Sequence, residues 1–176
     1  MAGLRKGHCY SRLERPYTRH SRVKSKSYIK TLPQIKVVRF EMGNFRKQFD
    51  YEIRLISNKD HQIRQNALES ARLVINRHLY EDVGAKDYHL KLNIYPYHIL
   101  RENKMLGGAH ADRLQTGMAH SFGKTINLSA QAKKGTIVFT TKVDENNLEK
   151  AKRIVKLAPP KLPGTYMIEI KKILNV

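Results

Sequence analysis

Residues 49–79 read FDYEIRLISNKDHQIRQNALESARLVINRHL, and a change of rhythm inside them decides the fold class. Phe49, Tyr51, Ile53 and Leu55 alternate with Asp50, Glu52 and Arg54, the period of two expected of a strand with one buried face. The period then lengthens. Ile63, Ala67, Leu68, Ala71, Val74, Ile75 and Leu79 recur at helical spacing, with Lys59, Arg72 and Arg77 off the stripe and Gly84 closing the segment. Ser57, with Asp60 three residues on, reads as the N-cap of that helix in a weak form of the capping box.

Further along, Tyr88, Leu90, Leu92 and Ile94 alternate with His89, Lys91 and Asn93 as a second strand, and Pro96 marks an edge, bulge or strand end. Ile126 and Leu128 suggest a short strand, and residues 136–143, TIVFTTKV, are rich in β-branched types. Asp144 is placed to cap a second helix with Leu148, Ala151, Ile154, Val155 and Ala158 inward, stopped by Pro159 and Pro160. Tyr166, Ile168 and Ile170 then alternate as a closing strand. Strand, helix, strand thus occurs twice, which predicts an α+β fold: a sheet carrying two helices on one face.

Between the two halves lies 101–124, RENKMLGGAHADRLQTGMAHSFGK, with four glycines and few large apolar residues. It should leave the core as a long loop. Loops of that length are usually functional or disordered, and Arg101, Lys104, Arg113 and Lys124 against Glu102 and Asp112 make this one mildly cationic. The reading is a finger that orders against a partner.

Charge names the kind of partner. The chain has 34 Lys and Arg against 15 Asp and Glu, a net charge of +19 and a pI near 10.1, so a polyanion, by default nucleic acid, is expected. More than half of the excess falls in residues 1–40, where Glu14 is the only acid. Residues 1–36 are expected to be a basic extension, mobile when free, and 37–176 a single domain. In the extension Arg5, Lys6, Arg12, Arg15, Arg19, Arg22, Lys24, Lys26 and Lys30 would neutralise phosphates, while the interleaved Tyr10, Tyr17 and Tyr28 stack on unpaired bases. An anionic membrane is the rival polyanion, but no basic amphipathic helix, lipidation signal or apolar run of spanning length is visible. The single cysteine, Cys9, has no internal partner, which points to a reducing compartment, and it does not complete a metal set with His8 and His20. No cofactor is expected.

The finger holds the one constellation that resembles catalysis: His110, Asp112, His120 and Ser121. Nucleophile and base need a rigid frame to meet, and a glycine-rich loop is not one. The expectation is a protein that is not an enzyme. An RNA-modifying enzyme using His110 and His120, or an RNA-binding assembly chaperone, are the alternatives.

Ala111-Asp112-Arg113-Leu114-Gln115-Thr116-Gly117-Met118 followed by Phe122-Gly123-Lys124 resembles the signature of the universal large-subunit ribosomal protein sixteen family in its archaeal and eukaryotic ten-e form. Cys9-Tyr10, Arg15-Pro16-Tyr17-Thr18 and Phe40-Glu41-Met42-Gly43 resemble that family's opening. Ala119 stands where the signature usually has arginine, Thr125 where it usually has proline, and residues 20–32 depart from the family's wording. The resemblance implies an α/β-hammerhead-like fold, mainly antiparallel, in a structural constituent of the large subunit. Its implied partners are large-subunit ribosomal RNA near the five-S RNA, neighbouring ribosomal proteins and, transiently, tRNA at the aminoacyl site. It further implies that the finger reaches toward the peptidyl-transferase centre, so Arg101, Lys104, Met105, Gly107, Gly108, His110, Arg113, Gln115, Gly117, Met118, His120 and Lys124 would face tRNA and catalytic RNA, in a cytoplasmic ribosome.

Overall fold

The structure, a computed structural model, describes residues 6–13, 20–103, 117, 118 and 121–173. Among them run the strands β1 (Glu41–Gly43), β2 (Tyr51–Ser57), β3 (His61–Arg64), β4 (Tyr88–Leu92), β5 (His98–Glu102), β6 (Lys124–Ala132), β7 (Ile137–Val143) and β8 (Tyr166–Lys172), with helices α1 (Gln65–Asp82) and α2 (Leu148–Val155). All pairings are antiparallel. They form two sheets, a five-stranded one in the order β1-β4-β7-β2-β8 and a three-stranded one in the order β3-β6-β5. The expected single sheet is therefore corrected to two.

The larger sheet is built from matched rungs. Ile53, Thr141 and Leu90 stand side by side on β2, β7 and β4, and so do Leu55, Phe139 and Leu92. Because alternation aims all six at one face, that face is a continuous apolar floor. α1 lays Leu68, Ala71, Ile75 and Leu79 on it, and α2 adds Ala151, Ile154 and Val155, all buried. Fully burying one such large side chain contributes roughly 1.5–3 kcal/mol, so this layer holds the domain together.

Three local expectations are corrected. Ser57 is the last residue of β2 and no helix cap: its hydroxyl donates to the Lys59 carbonyl at 2.7 Å. Ile63 belongs to β3, and α1 begins at Gln65 with no side-chain cap. Asp144 heads a short 3-10 turn, Glu145–Asn147, again without a side-chain cap, and α2 starts only at Leu148. The Asp144 carboxylate instead meets Lys47 Nζ at 2.7 Å. Pro96 does fall between β4 and β5, where a strand ends.

The small sheet is pinned to the large one through a buried histidine. His61 Nε2 lies 2.5 Å from the Tyr166 hydroxyl, whose oxygen is also 2.7 Å from the Pro163 carbonyl, and His61 Nδ1 donates to the Lys59 carbonyl at 2.8 Å. Burial pushes the His61 pKa down, and burial does the same to His89 on β4. Both rings stay neutral in the fold while the unfolded chain takes up protons below about pH 6.5. Stability should therefore be full above that pH and fall on acidification, before the Glu41 and Glu69 carboxylates, whose pKa values are lowered by Lys91 and Arg72, begin to titrate. Each histidine can contribute a slope of at most about 1.4 kcal/mol per pH unit. Urea unfolding between pH 7.5 and 5 should show this loss, and His61→Gln should flatten the slope; an unchanged slope in the variant would remove His61 from the account.

Candidate nucleic-acid interface

The extension, the helix and the finger-bearing sheet meet at one buried side chain. Gln65, the first residue of α1, donates through Nε2 to Asn127 Oδ1 on β6 at 2.5 Å and to the Gln34 carbonyl at 3.1 Å, while its Oε1 accepts the Lys36 N–H at 2.8 Å. Asn127 Oδ1 also accepts the Leu128 N–H at 2.9 Å. Nearer the N-terminus, Gln62 on β3 gives its N–H to the Ser11 carbonyl at 2.9 Å and its amide to the Tyr10 carbonyl at 3.0 Å. The described parts of the extension are thus laid along the domain by backbone groups, with their side chains turned outward.

The finger springs from a paired base. Glu102 on β5 stands opposite Lys124 on β6, and Arg101 opposite Thr125, after a register shift at Leu100. Arg101 and Lys124 are therefore strand residues, so the excursion is shorter than 101–124 by a residue or two at each end. Its exit is tight: Gly123 has φ +78, and a Cβ there would lie 3.0 Å from the Glu102 carbonyl. Arg101 closes the base by donating to the Gly123 carbonyl at 3.2 Å, its guanidinium 5.9 Å from the Phe122 ring centre.

Against this base lies the extension. The Thr125 hydroxyl donates to the Thr31 carbonyl at 3.0 Å, a bond that a proline at 125 would lack. An open hollow of about 430 Å³ lies between the two segments, with Lys26, Lys30, Arg101 and Lys124 in its walls beside Tyr28 and Phe122. Tyr28 is 64% exposed. Two candidate sites that are distant in sequence are thereby joined.

Charge is unevenly distributed. Several domain cations are paired with domain acids: Lys47 with Asp87 and Asp144, Arg54 with Glu52 and Glu169, Arg72 with Glu69, Arg77 with Glu81, Lys91 with Glu41. Hydrogen bonds that Lys47 donates to Asp144 and Asp87 push its pKa up to about 12. In the extension, Lys6, Arg12, Arg22, Lys24, Lys26, Lys30 and Lys36 are exposed and have no carboxylate partner among the described residues. Such a surface attracts phosphate.

Of the other candidates, Tyr10 is half-buried with one ring face covered by the Arg64 guanidinium at 5.1 Å, and Gly117 and Met118 are exposed. Arg5, Arg15, Tyr17, Arg19, Lys104, Met105, Gly107, Gly108, His110, Arg113, Gln115 and His120 lie outside the described residues. The residues that sequence reasoning missed are the positioning amides Gln62, Gln65 and Asn127; the available signal was amides sitting in otherwise apolar elements. Among the described residues no group of His, Cys, Asp or Glu could hold a metal ion, and no helix is long and apolar enough to cross a membrane.

An α+β domain that presents exposed cations on an extension and gathers further cations around a finger's base is a nucleic-acid-binding scaffold. The model of the family described as ribosomal protein L16p/L10e matches residues 14–169. The large ribosomal subunit protein uL16 of Staphylothermus marinus is 45% identical over 171 residues, 97% of this chain and 95% of that protein. Those of Sulfolobus acidocaldarius and Methanocella arvoryzae are 42% identical, across 97% of this chain and 95% of the relative, and 40% identical, across 94% of each. The chain belongs to the ribosomal protein L16p/L10e family. It is a structural constituent of the ribosome, in the cytoplasm, and not an enzyme; binding of ribosomal RNA follows from the family.

Gln65→Leu should remove the side-chain partner of the part-buried Gln34 carbonyl and Lys36 N–H and one of the two hydrogen bonds to Asn127 Oδ1, at up to roughly 1–3 kcal/mol for each group left unsatisfied away from water. The extension should also come loose, so trypsin should cut within residues 20–36 faster than in the unsubstituted protein under native conditions. Equal cutting rates would show that Gln65 does not hold the extension.

Proposed function

We propose that this large-subunit ribosomal protein uses its basic extension (residues 1–36) and the base of its finger as one RNA-binding surface on the domain of residues 37–176, and that this surface positions the finger toward the peptidyl-transferase centre and tRNA. The observation that carries the reading is the convergence of Lys26, Lys30, Arg101 and Lys124 on one hollow beside Tyr28 and Phe122. Cations there neutralise phosphates and release counterions, and the exposed rings offer faces to unpaired bases. The same geometry fixes where the finger leaves the domain.

The partner RNA lies near the five-S RNA and the aminoacyl-tRNA site, a placement supported by the resemblance of residues 111–124 to the family signature. Because A-form RNA hides its major groove, recognition is of backbone, shape and 2′-hydroxyls. Within the finger, Lys104, Met105, Gly107, Gly108, His110, Arg113, Gln115, Gly117, Met118 and His120 serve tRNA and catalytic RNA, and do not anchor the protein. In the extension, Arg5, Arg15, Tyr17 and Arg19 add to the phosphate-binding and stacking set.

Replacing Arg22, Lys24, Lys26 and Lys30 by Gln leaves the backbone anchors at Gln34 and Lys36 in place. Affinity for large-subunit RNA should fall, and the plot of log affinity against log salt should become less steep by up to about 0.9 for each phosphate no longer neutralised. An unchanged slope would mean that these cations do not touch RNA. Replacing residues 103–120 by a short Gly/Ser linker should still permit incorporation into subunits while impairing translation. Failure to incorporate would assign the finger an anchoring role.

A further inference from the structure

The extension and the finger do not hold all of the chain's excess positive charge. Residues 148–161, comprising α2 and the turn after it, carry Lys150, Lys152, Arg153, Lys156 and Lys161 against Glu149 alone. Lys152 has that acid at 3.8 Å. Lys150, Arg153, Lys156 and Lys161 are exposed and have no acidic partner among the described residues. Positions 150, 153 and 156 recur every three residues, so they share the side of α2 turned away from Ala151, Ile154 and Val155. The helix dipole favours cations in the last turn only, which leaves Lys150 and Lys161 unexplained by helix stability.

The chain that follows α2 borders a concavity. Lys161, Leu162, Pro163 and Gly164 form one wall of a cleft of about 410 Å³, and the turn Gly7–Tyr10 and the side chain of Arg64 form others. The walls are held: Gln62 bonds the carbonyls of Tyr10 and Ser11 at 3.0 and 2.9 Å, and Arg64 lies over the Tyr10 ring. Lys161 adds a cation to the lining, beside the ring of His8. A merely solubilising lysine face would have no such fixed hollow at its end. A protein partner would look for apolar anchors at the centre of its footprint, and on α2 and its cap this face offers only Leu157, which is 42% exposed.

We infer that α2 and the cleft that follows it form a second RNA-binding surface, distinct from the hollow at the finger's base: Lys150, Arg153 and Lys156 engage successive phosphates, and Lys161 receives the backbone where it enters the cleft. This rests on the RNA-binding reading above. It adds a second footprint on the RNA and leaves the finger's role as it stands.

The test uses the full chain with K150Q, R153Q, K156Q and K161Q combined, all at exposed positions that leave the core intact. A control variant, K59Q with K86Q and K133Q, removes exposed unpaired cations elsewhere. Binding to naked large-subunit ribosomal RNA is measured across a salt series. The salt slope of the quadruple variant should be shallower by about 2–4, as expected when that many phosphates go without a cation, and the control should change little. An unchanged slope in the quadruple variant, or an equal reduction in the control, overturns the inference. So does a variant that binds naked RNA normally but fails to enter whole subunits, which would make the partner a protein. If the unsubstituted protein itself binds RNA without salt dependence, the failure belongs to the RNA-binding reading.

Discussion

One short hydrogen bond, from the Gln65 amide to the Asn127 side chain at 2.5 Å, constrains everything that faces the partner. It is fully buried, where an unpaired amide is costly, so the start of α1 and the middle of β6 are locked together. The same glutamine holds the end of the extension through Gln34 and Lys36. The finger's outgoing and returning strands are β5 and β6, so the position of β6 sets the finger's base. Extension and finger thus take their relative placement from one core interaction, and the cationic hollow between them is its result.

Charge follows a complementary logic. Several acids and bases on the domain pair at its surface, where exposed pairs add little stability, yet the domain keeps an excess of cations, those of α2 among them. The extension has almost no acids, so its positive potential is left for an outside anion. A chain with the same totals spread evenly would have no preferred side for RNA to approach.

Much of this was legible in the sequence wherever one face was buried and the other wet. β2, β4 and β8, and the inner stripe of both helices, announce themselves by period, whereas β7, buried at four successive residues, shows itself only by its β-branched composition. β3 did not, because His61, Gln62 and Ile63 are all buried and the alternation disappears; Ser57 and Asp60 then imitated a cap for a helix that begins later. β1 is only three residues long, and division into two sheets depends on pairings between distant segments that no local pattern records. The candidate cations were visible from composition. Their convergence was not, because Lys26 and Lys124 meet only through backbone anchors supplied by Gln65 and Thr125.

The paired base of the finger also bears on how such a protein can change over time. Glu102 and Lys124 face one another across neighbouring strands, so the chain departs and returns through a doorway about 5 Å wide. What happens beyond that doorway is mechanically invisible to the sheet. Lengthening or rewriting the excursion costs only the slow logarithmic entropy of closing a loop, and the scaffold behind it need not be rebuilt. Descent with modification can therefore tailor the tip to a particular ribosome while the body stays the same.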